Sequence, residues 1–141
     1  MKRAPINDAG PLRLGTIAAS LASLPFIVPH VLEDFAEGIA QRVGLSTEVL
    51  ALLLGGFLAL QSLGLILVAQ GKQEGFAVTF WIGLVWVAGA LADHGPALVV
   101  GSFRAGATSV LWVVGLIVTQ AACAVLAGCG WWRKKRTGGN R

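Results

Sequence analysis

Four long apolar stretches, joined by short polar segments, dominate the pattern of hydrophobic positions along the chain. They cover residues 14–32, 49–69, 76–92 and 105–132. Their apolar positions run continuously instead of alternating with polar ones, which favours helices over strands. A helix needs about 20 residues to cross a hydrocarbon core of about 30 Å. The pattern therefore predicts an all-α fold, an integral membrane four-helix bundle.

The composition supports this class of protein. Of the 141 residues, 55% are hydrophobic and 13% are charged, about half the charged share of a soluble domain. These values exclude an ordinary water-soluble domain and a disordered chain. The net charge of +4 comes from basic flanks and not from a basic face, so we expect no nucleic-acid partner. The chain divides into a basic N-terminal segment (1–13), a four-span domain (14–132) and a basic tail (133–141).

The charges also predict an orientation in the membrane. If both termini are cytoplasmic, nine of the eleven Lys and Arg residues lie on the inner side, and five of the seven acids lie on the outer side. This distribution follows the positive-inside rule, so we expect both termini in the cytoplasm and the protein in the plasma (inner) membrane. The basic tail should also attract anionic lipid headgroups.

The segments between the spans carry recognisable helix signals. Apolar residues recur at helical spacing in the outer segment 33–48, so we expect the first helix to continue past the membrane or along its surface. Gly44 is a candidate C-cap, and Ser46 is a candidate N-cap for the second span. Pro96 should end or kink the third span.

Polar and small residues inside the spans predict how the helices associate. Gln61 and Gln120 each lie near the middle of a span, where an amide needs a partner, so the two amides could satisfy each other. The main interpretation is structural, and the alternative is a polar lining for a ligand or proton path. Gly115 and Cys123 belong to a ridge of small residues that allows close helix packing, within this chain, with a membrane protein partner or in a homo-oligomer.

A group of acids and histidines is the one constellation that could carry chemistry. Four of these residues fall within an arc of about 100° on a helix: His30, Glu33, Asp34 and Glu37. The third span runs parallel to the first and brings the second histidine to the same outer level. In a square bundle these two helices lie on a diagonal, so their inward faces meet. The candidate metal ligands are His30, Glu33, Asp34, Glu37, Asp93 and His94.

Three functions are compatible with this group. Neutral imidazoles with carboxylates bind divalent ions such as Zn²⁺, Fe²⁺, Mn²⁺ or Cu²⁺, which favours a metal- or cation-binding protein or an accessory membrane subunit. A membrane enzyme acting on a lipid-like substrate by proton transfer is the first alternative. It predicts a lipophilic cavity reaching Gln61 or Trp86. The second alternative is a purely structural subunit, in which the acids form a solvated face at the membrane interface.

The region around His30, Glu33 and Asp34, together with the four-span layout, resembles the EXPERA sterol-isomerase-like group. In that family a small helical bundle lines a lipid-facing pocket with acids and histidine. The resemblance implies an isomerase-like proton transfer with these three residues as catalytic candidates. The second span departs from the family pattern, since it carries Gln61 where the family uses an acid.

Overall fold

The computed structural model describes residues 9–101, 103 and 106–138. Residues 1–8 of the basic N-terminal segment and residues 139–141 of the basic tail therefore lie outside the described residues. The described part of the chain forms five helices: α1 (Ala9–Ala36), α2 (Ile39–Arg42), α3 (Thr47–Ala69), α4 (Gln73–Val100) and α5 (Ala107–Gly138). Four of them are long and apolar enough to cross a membrane. The predicted all-α, multi-pass membrane fold is confirmed, and α2 is a short connection between the first two spans.

The four spanning helices form a square in which α5 makes the two most extensive helix–helix contacts. It packs along α1 on one side and along α4 on the other, whereas α3 packs mainly on α4. Within the described residues, α1 and α4 do not approach each other closely along their backbones, so they occupy the predicted diagonal. At one end of the bundle the Arg13 side chain donates to the carbonyl of Ala69 (3.4 Å), which joins the start of α1 to the end of α3.

Glycines shape the connection between α1 and α3. Gly38 and Gly44 adopt φ angles of 76° and 73°, in the left-handed region that favours glycine. The first helix therefore stops at Ala36, and the expected continuous extension through residues 33–48 is broken into the separate turn of α2. The predicted N-cap is confirmed, because Ser46 Oγ accepts a hydrogen bond from the backbone N–H of Val49 (3.3 Å).

Proline does not end the third span where the sequence pattern placed its end. Helix α4 continues through Pro96 to Val100 and closes at Gly101, which has a φ of 70°. A proline inside a helix removes one backbone donor and crowds one carbonyl. The helix continues despite that local cost, and α1 likewise contains Pro25 and Pro29 within its own length.

Close approach of the helices depends on small residues at their contacts. A β-carbon on Gly115 of α5 would overlap the ring of Phe26 on α1. On the other side of α5, a β-carbon on Gly83 of α4 would lie 3.0 Å from the carbonyl oxygen of Gln120. Such contacts let backbones and rings pack without gaps, which is the main attraction between helices in lipid.

A buried hydrogen-bond network crosses the middle of the bundle. Gln61 of α3 donates to Ser20 Oγ (3.0 Å) and accepts from the indole N–H of Trp86 on α4 (2.9 Å). Gln120 of α5 donates to Ser23 Oγ (2.8 Å). The two glutamines therefore bond to serines of α1 and not to each other, because α3 and α5 face each other across the second diagonal. This serine–glutamine network links all four spanning helices.

The contact between α5 and α1 can be tested with Gly115→Ala. The added methyl group must displace the ring of Phe26, so we expect a loss of about 1–3 kcal/mol in unfolding free energy, measured in detergent. Gly55→Ala is the control, since a β-carbon there would meet nothing within 4 Å. Equal stability of the two variants would show that the predicted overlap has no energetic consequence.

The serine–glutamine network can be tested with Gln61→Leu. This change removes two side-chain hydrogen bonds and leaves the indole N–H of Trp86 without its acceptor. We expect a loss of about 1–2 kcal/mol in the same unfolding measurement. The neighbouring variant Ser62→Ala should cost less, because that exposed hydroxyl donates only to Leu58 of its own helix. A Gln61→Leu protein as stable as Ser62→Ala would contradict a stabilising network.

Candidate metal centre

The two histidines meet inside the bundle, between α1 and α4. The ring centroids of His30 and His94 are 4.9 Å apart, and the ring planes are inclined at 68°. His30 is only 5% exposed, so it does not belong to a solvated surface. The expectation that both imidazoles share one depth and one interior space is met.

Asp34, one helical turn beyond His30, places its carboxylate between the two rings. Its Oδ2 lies 3.4 Å from His30 Nε2, and its Oδ1 lies 3.4 Å from His94 Nε2. Each of the three residues offers one donor atom, and these atoms all lie within 4.8 Å of one another. We refer to His30, Asp34 and His94 as the histidine–aspartate triad.

The spacing within the triad suits a shared ion better than direct hydrogen bonds. Charge-assisted hydrogen bonds are usually about 2.7–2.9 Å long. Two ligands at opposite ends of a tetrahedral edge around Zn²⁺ are separated by roughly 3.4 Å, given bond lengths of about 2.0–2.2 Å. In addition, the buried Nε2 of His94 has no hydrogen-bond partner among the residues that the structure describes. This nitrogen is therefore available as a ligand.

The other predicted ligands surround the triad at different distances. Asp93 Oδ2 lies 3.3 Å from His94 Nε2. Glu33 is directed towards α5, where its Oε2 accepts a hydrogen bond from Ser109 Oγ (2.8 Å). Glu37 lies beyond the end of α1, is exposed and lines the cavity beside the triad. Of the six predicted residues, the structure thus brings three into one group and leaves three around it.

A polar cavity of about 160 Å³ opens beside the triad. Among its lining side chains are one guanidinium, that of Arg42, and four carboxylates: Glu33, Asp34, Glu37 and Asp93. Phe103 forms part of the wall and stacks on the ring of His94, with centroids 6.1 Å apart. The cavity is large enough for an ion with attached water molecules, and its excess of carboxylates favours a cation.

Apolar packing fills the space on the membrane side of the triad. Ile27, Ala90 and Leu116 are buried against one another there, and Trp86 packs against them. Neither Gln61 nor Trp86 lines the cavity beside the triad. This packing does not favour the lipid-substrate alternative, which expects a lipophilic space reaching those two residues.

Two residues of this region were missed from the sequence. The sequence predicts no site role for Arg42, yet its Nη1 lies 3.5 Å from Asp93 Oδ1. The sequence predicts no site role for Ser109 either, although its hydroxyl donates a hydrogen bond to Glu33. Arg42 could have been noticed as a lone base in an acidic segment. A serine in an apolar span has no comparable signal.

Comparisons with protein-family models, with curated proteins and with solved structures gave no match. The resemblance to the EXPERA group therefore depends only on the residues quoted for it.

Proposed function

We propose that this membrane protein binds a divalent transition-metal ion through His30, Asp34 and His94. The observation that carries the proposal is the position of the Asp34 carboxylate, 3.4 Å from the Nε2 atoms of both histidines. Two imidazoles and a carboxylate are a donor set for Zn²⁺ and also for Fe²⁺. Ca²⁺ and Mg²⁺ are disfavoured, because they prefer sites made only of oxygen ligands.

Three protein ligands leave at least one position on the ion for water or another small ligand. The cavity beside the triad supplies the space for it, and the surrounding carboxylates attract the incoming cation. We therefore regard the site as an exchangeable binding site of a small metal-binding or accessory membrane subunit.

The proposed location is the plasma (inner) membrane with both termini in the cytoplasm. In this orientation the triad and its cavity lie near the outer face, so the ion enters from outside the cell. The basic tail then lies at the inner leaflet, where anionic lipid headgroups are its proposed partners.

Metal binding can be measured by titrating chelator-stripped, detergent-purified protein with Zn²⁺ in a calorimeter. We expect a single class of sites in the wild type and a loss of affinity of at least about tenfold in His30→Ala/His94→Ala, because two ligands are removed. Glu48→Gln is the matched control, since that exposed acid does not line the cavity. Equally weak binding by wild type and the double variant would end the metal hypothesis.

The orientation can be tested by labelling intact cells with a membrane-impermeant maleimide. Exposed positions at the two ends of the bundle are replaced as Glu48→Cys or Lys72→Cys, each in a Cys129→Ser background that leaves only the buried Cys123. We expect labelling at position 48 from outside and labelling at position 72 only after the membrane is permeabilised. The reverse pattern would contradict cytoplasmic termini.

A further inference from the structure

The carboxylate of Asp93 is shared between a metal-ligating candidate and a base. Its Oδ2 lies 3.3 Å from Nε2 of His94, and its Oδ1 lies 3.5 Å from Nη1 of Arg42. Arg42 is also the one basic residue among the described residues that line the cavity. The Arg42 guanidinium therefore pairs with one oxygen of the Asp93 carboxylate, while the other oxygen faces His94 of the triad.

Asp93 is close to a fourth ligand position without occupying it. Its distance to His94 Nε2 is about one tetrahedral edge, as it is for Asp34. However, Asp93 lies outside the group of donor atoms that are all within 4.8 Å of one another. A small movement of this carboxylate towards the triad, away from Arg42, would complete four protein ligands.

The position of Arg42 allows the Asp93 carboxylate to move from Arg42 to the triad with little rearrangement. It belongs to the four-residue helix α2, and glycines in the left-handed conformation lie on both sides of that helix, at Gly38 and Gly44. The Arg42 side chain is 47% exposed. Ion pairs at this exposure contribute little, because water screens them. A divalent ion at the triad attracts the same carboxylate with twice the charge.

We propose that Asp93 is a reserve fourth ligand and that Arg42 competes with the metal ion for it, which keeps the site weak enough to exchange its ion. This inference rests on the proposed metal-binding function. In this inference Arg42 sets the affinity of the site for the metal ion, whereas an ordinary surface ion pair would only join two helices.

The test is a double-variant cycle with Zn²⁺ as the probe and full-length protein in detergent. Arg42→Gln should lower the Kd for Zn²⁺ about two- to fivefold, because the competitor is removed. Asp93→Asn should raise the Kd about tenfold, because the reserve ligand is lost. In Arg42→Gln/Asp93→Asn the Kd should equal that of Asp93→Asn, since Arg42 then has no carboxylate to withhold.

Two controls separate competition from general charge effects. Arg42→Lys keeps a cation at the same place and should bind Zn²⁺ like the wild type. Lys72→Gln removes an exposed base at the other end of the bundle and should leave the Kd unchanged. Thermal unfolding of each variant without metal shows whether it is folded. Visible absorption of bound Co²⁺ gives a second readout, because an added protein ligand changes the coordination geometry.

The outcomes distinguish this inference from the function beneath it. If Arg42→Gln tightens binding equally with and without Asp93, Arg42 acts only through its long-range charge and the reserve-ligand inference is overturned. An unchanged Kd in Arg42→Gln also overturns it, while Zn²⁺ binding by the wild type still supports the triad. If neither the wild type nor Arg42→Gln binds Zn²⁺, the proposed function itself fails.

Discussion

Polar side chains in a hydrocarbon core must find partners within the protein, and this constraint fixes the rotation of α1. Ser20 and Ser23 face inward because they bond to Gln61 and Gln120 from two other helices. The same helix face continues at alternating intervals of three and four residues through Ile27, His30 and Asp34. The hydrogen bonds in the middle of the bundle therefore also direct the imidazole and the carboxylate into its interior, near the end that holds α2.

The diagonal arrangement of the helices completes the site. Since α1 and α4 lie opposite each other, their inward side chains meet on the bundle axis although their backbones stay apart. The two histidine side chains cover that distance, with ring centroids 4.9 Å apart. The position of α5 between α1 and α4 depends on glycine, because any β-carbon at Gly115 would overlap Phe26.

Features that depend on local sequence or on the order of the spans were predictable, and the partners of individual side chains were not. The four spans, the Ser46 N-cap and the meeting of the histidines follow from hydrophobicity, capping chemistry and antiparallel connections. The prediction that Gln61 and Gln120 bond to each other was wrong, because the sequence does not show which helix a side chain faces. Pro96 does not end the third span, since helix α4 continues beyond it to Val100.

The site shows the same division between local and tertiary information. Its acids and histidines could be selected because helical spacing places them on one face. Arg42 could not be placed, because its position depends on the two glycine turns that separate α2 from α1 and α3. Ser109 reaches Glu33 only through the packing of α5 on α1. Tertiary contacts therefore decide which of the selected carboxylates face the triad and which are held by other partners.

The layers of the bundle bear on whether an ion could pass through it. Above the triad the cavity is lined by carboxylates. Below it, Ile27, Ala90 and Leu116 form an apolar layer one helical turn from the serine–glutamine network. A hydrated cation gains nothing in such a layer, because no polar atom there replaces its water. In that network, the amides of Gln61 and Gln120 and the indole N–H of Trp86 already donate to partners within the protein. Under the proposed function, an ion held by the triad would therefore exchange with one side of the membrane, which argues for binding and against conduction through this bundle.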